Sequence, residues 1–190
     1  MNIDVWKGKF GDDYTERNQN TQGRKEMFTR ILDALPVLPD SILEVGANRG
    51  LNLDVLHNII KARLIGLEPN DSARQYIKHE ALDGTAQQIK LPDKSVAMVF
   101  TCGVLIHIPP EELHIVCNEI YRVASRYIVC IEYFSDKPEE VQYRGYDDML
   151  WKRDFGSYWR DNYPLKLLDY GFLWKPVTGL DNLTYFVFEK

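Results

Sequence analysis

The segment Glu44-Val45-Gly46-Ala47-Asn48-Arg49-Gly50 puts one carboxylate and two glycines at the end of an apolar run and ahead of a helical pattern. A strand, a tight glycine turn and a helix in that order aim free backbone N–H groups at a ligand. A second apolar run, Leu64-Ile65-Gly66-Leu67, ends in Glu68, 24 residues after Glu44. That spacing is close to the ~20-residue offset at which nucleotide folds place a ribose-binding carboxylate. Glu68 would take two ribose hydroxyls as a bidentate acceptor. These residues are suited to holding a nucleoside. With only Gly46 and Gly50 in the loop, the G-x-G-x-x-G spacing that lets a pyrophosphate approach is absent, which disfavours a dinucleotide.

A second set of reactive groups lies further along. His107, in Thr101-Cys102-Gly103-Val104-Leu105-Ile106-His107, follows an apolar strand pattern at the sheet edge where open α/β folds bind ligands. Its imidazole either takes a proton from an attacking hydroxyl or amine, or braces the loop by hydrogen bonds. Tyr14 and Glu132 are the other candidate bases. Tyr143, Arg144, Lys152 and Arg153 mix cations with aromatic rings, which suits a phosphorylated or carboxylated sugar-like acceptor. Trp151, Phe155 and Trp159 are expected to pack on the sheet instead.

Alternating elements must position these groups. Glu26–Leu35 carries apolar residues at helical spacing, and Pro36 and Pro39 end it. Strand one is Ser41–Val45, followed by a helix from Leu51 to Ile60. Strand two, Leu64–Glu68, leads through Pro69-Asn70-Asp71 into a helix to about Lys78. A short third strand ends near Gly84, and Val96–Cys102 is a fourth, buried on both faces. Pro109-Pro110-Glu111-Glu112 opens a helix to Val123, and Tyr127–Tyr133 is strand five. There the alternation stops. Leu165–Trp174 and Leu183–Glu189 are expected to pair as antiparallel strands, while residues 1–23 form either a mobile flap or a short helix packed on the body.

With 190 residues, 45% of them hydrophobic and 27% charged, the chain is expected to be one globular domain over 1–190. Its parts are a flap and helix (1–35), a ligand-binding core (41–133), an acceptor-side insertion (134–163) and C-terminal strands (164–190). No apolar stretch approaches the ~20 residues needed to cross a bilayer, and the N-terminus lacks a signal-peptide layout. A cytoplasmic protein is expected. Cys102, Cys117 and Cys130 have no metal-binding spacing, so reduced thiols and no metal are expected. The net charge of −5 argues against nucleic acid as a partner. A small-molecule acceptor is expected, handled by a monomer or homodimer.

The loop Glu44–Gly50 resembles that of class I S-adenosylmethionine-dependent methyltransferases, which have a doubly wound α/β fold. Their sheet has seven mostly parallel strands and an antiparallel C-terminal edge. The resemblance implies S-adenosylmethionine as cofactor and S-adenosylhomocysteine as product. It implies cofactor contacts from Glu44, Gly46, Ala47, Asn48, Gly50, Glu68, Pro69, Thr101, Cys102 and Gly103. Thr85 and Ala86 stand where the family holds adenine, although the acidic residue common there is missing. Tyr14, Arg17 or Arg24 would clamp the methionine carboxylate or cover the substrate. Acceptor contacts are expected from Tyr14, Arg17, His107, Tyr133, Tyr143 and Arg144.

Thr21-Gln22-Gly23-Arg24-Lys25-Glu26-Met27-Phe28, Ile42–Asn48, Gly103–Ile108, Tyr143–Asp148 and Lys152–Phe155 together resemble the pseudaminic-acid-biosynthesis-associated methyltransferases. That likeness implies a sugar or nucleotide-sugar precursor of a bacterial surface glycan as acceptor. Two other classes share the strand-loop-helix unit. One is an NAD-dependent oxidoreductase, which lacks support from a Tyr-x-x-x-Lys pair here. The other is a catalytically silent nucleoside-binding scaffold subunit.

Overall fold

In the computed structural model, which describes residues 3–190, the two-sided apolar runs become the centre of a parallel sheet. The N-terminal segment forms two short helices, α1 (Ile3–Lys7) and α2 (Lys9–Arg17), and α3 (Arg24–Asp33) follows; residues 1 and 2 lie outside the described part. The core continues with β1 (Ser41–Val45), α4 (Leu51–His57), β2 (Arg63–Leu67), α5 (Asp71–Arg74), β3 (Glu80–Leu82) and β4 (Val96–Cys102). A 3₁₀ turn over Leu105–His107 precedes α6 (Leu113–Val123) and β5 (Ala124–Glu132). The insertion is a small hairpin, β6 (Glu139–Glu140) with β7 (Trp151–Lys152), followed by α7 (Phe155–Asn162). The chain ends with β8 (Lys166–Leu173), α8 (Lys175–Thr178) and β9 (Leu183–Glu189).

The seven-stranded sheet runs β3-β2-β1-β4-β5-β9-β8. β2 and β4 flank β1 in parallel, β5 is parallel to β4, and β9 is antiparallel to both β5 and β8. The connection reverses direction between β1 and β4, which opens a crevice at their carboxyl ends. Two apolar layers clamp the sheet. Val116, Ile120, Phe155 and Trp159 pack one face from α6 and α7. Phe28, Ile31, Leu53 and Leu56 pack the other from α3 and α4.

Helix ends differ from the expected ones where local hydrogen bonds outcompete the helical pattern. α5 is a single turn: Asn70 caps it by accepting from the Ala73 N–H at 2.8 Å, and the Tyr76 and Ile77 N–H groups bond three residues back instead of four. α4 stops at His57, with the Asn58 side chain bonded to the Asp54 carbonyl. The prolines at 109 and 110 precede α6 instead of starting it, and the Pro109 carbonyl accepts from Glu112 and Leu113. β5 starts at Ala124 because Ala124 pairs with Val96, so α6 runs into it without a loop.

Candidate active site

The glycine loop folds as its sequence requires. Gly46 and Gly50 have φ of 72° and 75°, a region closed to most L-residues. A β-carbon on Gly46 would stand 2.7 Å from a Val104 methyl, so only glycine fits between β1 and the loop after β4. The Gly46 and Ala47 N–H groups donate to the Leu67 carbonyl at 2.8 and 3.0 Å, tying the loop to the end of β2. Glu68 then lies beside the loop. One of its oxygens accepts from the Asn48 N–H at 2.7 Å and the other from the Asn70 N–H at 2.9 Å. Burial pushes this carboxyl's pKa up, and the two N–H groups draw it back down. Each oxygen keeps a further lone pair, so the group is a preset acceptor for paired hydroxyls.

Glu44, the penultimate residue of β1, is 2% exposed. Burial pushes its pKa up to about 8, opposed by the Asn52 amide and by Arg24. Asn52 connects the two: its NH₂ donates to Glu44 and its carbonyl oxygen accepts from Arg24. The second oxygen of Glu44 is buried and has no hydrogen-bond partner. An orphaned carboxylate oxygen close to an arginine fits a ligand carrying both an ammonium and a carboxylate, as an amino acid does. S-adenosylmethionine has both, beside a ribose for Glu68, and nicotinamide dinucleotide has no such zwitterion.

These groups line a cavity of about 350 Å³, within the ~300–1,000 Å³ of small-ligand sites. The two N-terminal helices cover it. The Asn70 amide donates to the Trp6 carbonyl at 2.8 Å, and the Asn48 amide to the Thr15 hydroxyl at 3.0 Å. Trp6 meets Phe10 and Tyr14 edge-on at 5.2 and 5.5 Å.

The other side of the cavity is hung from Glu132. This carboxylate is fully buried, and it accepts from the Val104, Leu105 and Ile106 N–H groups at 3.2, 3.1 and 3.4 Å. Burial pushes its pKa up to about 7 against those donors. The loop so held presents His107, whose Nδ1 is 2.6 Å from the Met149 carbonyl. A carbonyl can only accept, so Nδ1 carries the proton and Nε2 the lone pair. Burial pushes the imidazole down to about 4, which keeps it neutral. Its ring lies 4.7 Å from Trp6 and 5.2 Å from Tyr143. Burial pushes the Tyr14 phenol far up, making it a hydrogen-bond donor and a poor base. The Cys102 thiol, pushed up to about 12, stays protonated.

The structure brings together Tyr14, Arg17, Arg24, Glu44, Gly46, Ala47, Asn48, Glu68, Pro69, Thr85, Ala86, Cys102, Gly103, His107, Tyr133, Tyr143 and Arg144 around this cavity. Three expected residues are not on its wall. Gly50 supports the turn, with its N–H on the Ala47 carbonyl and Ile77 at 3.4 Å from the position of an added β-carbon. Thr101 is 2% exposed within β4. Glu132 lies beneath the loop, engaged by backbone, so a positioning role replaces that of a base. Asn52, Trp6, Gly11 and Asp181 line the cavity without having been expected; of these, only Trp6 has a signal in the sequence, the four-residue spacing it shares with Phe10 and Tyr14. The three cysteines are free thiols. Among the described residues no His, Cys, Asp and Glu cluster is placed to hold a metal, and no helix is long and apolar enough to cross a membrane.

Residues 43–127 match the family model described as a methyltransferase domain. No curated protein matches the chain. Among solved structures, 1,6-didemethyltoxoflavin-N1-methyltransferase from Burkholderia thailandensis, with S-adenosylhomocysteine bound, is 13% identical with a TM-score of 0.75, over 99% of this chain and 85% of that one. Magnesium protoporphyrin IX methyltransferase from Synechocystis, with S-adenosylmethionine bound, is 12% identical with a TM-score of 0.68, over 98% and 94%. A methyltransferase from Aquifex aeolicus is 14% identical with a TM-score of 0.68, over 94% and 97%. At such identities these likenesses establish the fold, a Rossmann-like methyltransferase sheet. The domain match supports S-adenosylmethionine-dependent methyl transfer as the activity, and the cavity's pairing of Glu44 and Arg24 with Glu68 suits that cofactor better than a nicotinamide dinucleotide.

Proposed function

We propose that this methyltransferase acts on an oxygen or nitrogen of a small polar acceptor, a sugar or nucleotide-sugar precursor of a bacterial surface glycan. The observation that carries the reading is the aromatic enclosure of Trp6, His107 and Tyr143, which offers ring faces to sugar C–H groups around one polar imidazole. The motif resemblance over Tyr143–Asp148 and Lys152–Phe155 supports the glycan assignment. With a net charge of −5 and a cavity roofed by two helices, the protein is suited to small molecules more than to nucleic acid, working in the cytoplasm as a monomer or homodimer.

The cofactor supplies a methyl already activated on a sulfonium, so alignment and exclusion of water contribute most of the rate. Arg24 and Glu44 would hold the carboxylate and ammonium ends, Glu68 the ribose hydroxyls, and Thr85 and Ala86 the adenine. Gly46, Ala47, Asn48, Pro69, Cys102 and Gly103 would shape the walls between them. Tyr14 donates a hydrogen bond, and Arg17, Tyr133 and Tyr143 orient the acceptor. Nε2 of His107 receives the proton of an acceptor hydroxyl as its oxygen is methylated. A protonated ether is far more acidic than even this depressed imidazolium, so a weak, neutral base suffices. A neutral amine needs no base.

The test is transfer of label from methyl-labelled S-adenosylmethionine to a panel of monosaccharides, sugar phosphates and nucleotide sugars. Label in a sugar product is the expected result. Label that enters protein or RNA and no sugar refutes the acceptor assignment.

A further inference from the structure

Almost every charged group on the cavity wall is already engaged. Glu44 and Arg24 share Asn52, and Glu68 takes two backbone N–H groups. Asp181 is held by Lys175 at 2.9 Å and by the Tyr133 hydroxyl at 2.9 Å. Arg49 bonds the Thr15 carbonyl and stacks on Tyr76. His107 is neutral. Arg144 and Arg17 remain, lining the cavity with no side-chain hydrogen bond or ion pair among the described residues. The open charge of the acceptor side is therefore positive, although the chain as a whole is acidic.

Arg144 is also an unfavourable choice for its place. It has φ of 52°, and Gly145 follows with φ of 84°. Tyr143 and Tyr146 exchange backbone hydrogen bonds of 2.9 and 3.0 Å around them. Two successive left-handed residues make a hairpin turn that favours Asn or Gly at its first central position, and an L side chain there costs about 1 kcal/mol. The turn itself gains nothing from an arginine. Phe10 braces the turn, with its ring 6.1 Å from Tyr143 and 5.4 Å from Tyr146. The guanidinium lies 5.7 Å over the Tyr143 ring, the same ring that faces His107. The one acid of the turn region with a side-chain partner of its own, Asp147, accepts from Gln142.

We infer that Arg144, with Arg17 as the second free cation, binds an anionic group of the acceptor, a phosphate or a carboxylate attached to the ring held at His107. This deepens the acceptor assignment above and rests on it. A guanidinium stacked on an aromatic ring keeps its outer N–H edge free for bidentate pairing with either anion.

The experiment titrates the protein, saturated with S-adenosylhomocysteine, with glucose 6-phosphate, glucuronate and glucose, followed by calorimetry. At least one charged sugar should bind about tenfold or more tighter than glucose, the size of one charge-assisted pair, and the two charged arms separate phosphate from carboxylate. R144N, which installs a residue the turn favours, should abolish the preference. R160A, which removes an exposed arginine on α7, should leave it unchanged. Equal binding of all three sugars, no binding of either charged one, or full preference in R144N would overturn the inference. S-adenosylhomocysteine is titrated first: failure at that step contradicts the cofactor assignment itself, whereas tight binding followed by no discrimination removes only the anion subsite.

Discussion

Cofactor affinity should depend on pH through Glu44. One of its oxygens faces Asn52 and the other has no partner, and burial holds the carboxyl at about 8 in the ligand-free protein. The folded-state value is raised above the usual carboxylate range. The associated stability is therefore full below the unfolded value and lost as pH rises through about 8, where an unpaired buried charge appears. A ligand ammonium reverses this preference: it needs the ionised form, so binding below that pH must expel a proton. Each pH unit below the folded value then costs about 1.4 kcal/mol, or tenfold in affinity. Above about pH 8 the ligand's own α-amino group loses its charge, so the usable window is about pH 6 to 7.5. Calorimetric titration with S-adenosylhomocysteine across that window should show affinity rising about tenfold per unit. Buffers of different protonation enthalpy should report close to one proton released. Glu44→Gln should flatten the slope and weaken binding at the upper end. A wild-type affinity independent of pH, or the same slope in the variant, would refute the ammonium role of Glu44.

Glu68→Ala should weaken S-adenosylhomocysteine by about 1–3 kcal/mol through loss of charge-assisted hydrogen bonds while the fold persists; an unchanged dissociation constant would sink the ribose assignment. Gly46→Ala forces a β-carbon to 2.7 Å from Val104 at a left-handed φ, so denaturant unfolding should show a loss of at least about 1–2 kcal/mol. Glu132→Ala strands the Val104, Leu105 and Ile106 N–H groups, the last two of them buried, and should cost about 3 kcal/mol or more; a loss below about 1 kcal/mol would contradict its part in holding the loop. His107 is buried neutral with a pKa near 4. Its contribution is full above about 6.5 and lost as pH falls toward the folded value, a drop of about 3 kcal/mol that His107→Gln should flatten in acid unfolding curves. The same variant should slow turnover about a hundredfold while sparing cofactor affinity, and normal turnover would remove the base role.

Strands were more legible than helices because burial on both faces writes itself into apolar runs. β1, β4 and β9 begin and end where the sequence pattern does. The ends of α4 and α5 depend on Asn58 and Asn70 side chains competing with the helical ladder, and periodicity does not register that competition. Glu44 and Glu68 were legible because both sit at or near strand ends beside glycine or proline. The Arg24–Asn52–Glu44 relay was not, since it joins three elements whose meeting depends on how α3 and α4 pack. Glu132 illustrates the limit most plainly. Its type and position admit catalysis, and only the register of β5 against β4 places its oxygens beneath the 104–106 backbone. Trp6, Phe10 and Tyr14 recur every four residues in the sequence, but their partners His107 and Tyr143 are distant in sequence and follow from tertiary closure alone.

The identity of the bound nucleoside decides the roles of Glu44, Arg24 and Glu68. Side-by-side calorimetric titration of the purified protein with S-adenosylmethionine, S-adenosylhomocysteine and NAD should give one site for each of the first two, at micromolar affinity, and no heat with NAD. Binding of NAD, with neither adenosyl compound taken up, would contradict the reading of Glu44, Arg24 and Glu68 on which the rest depends.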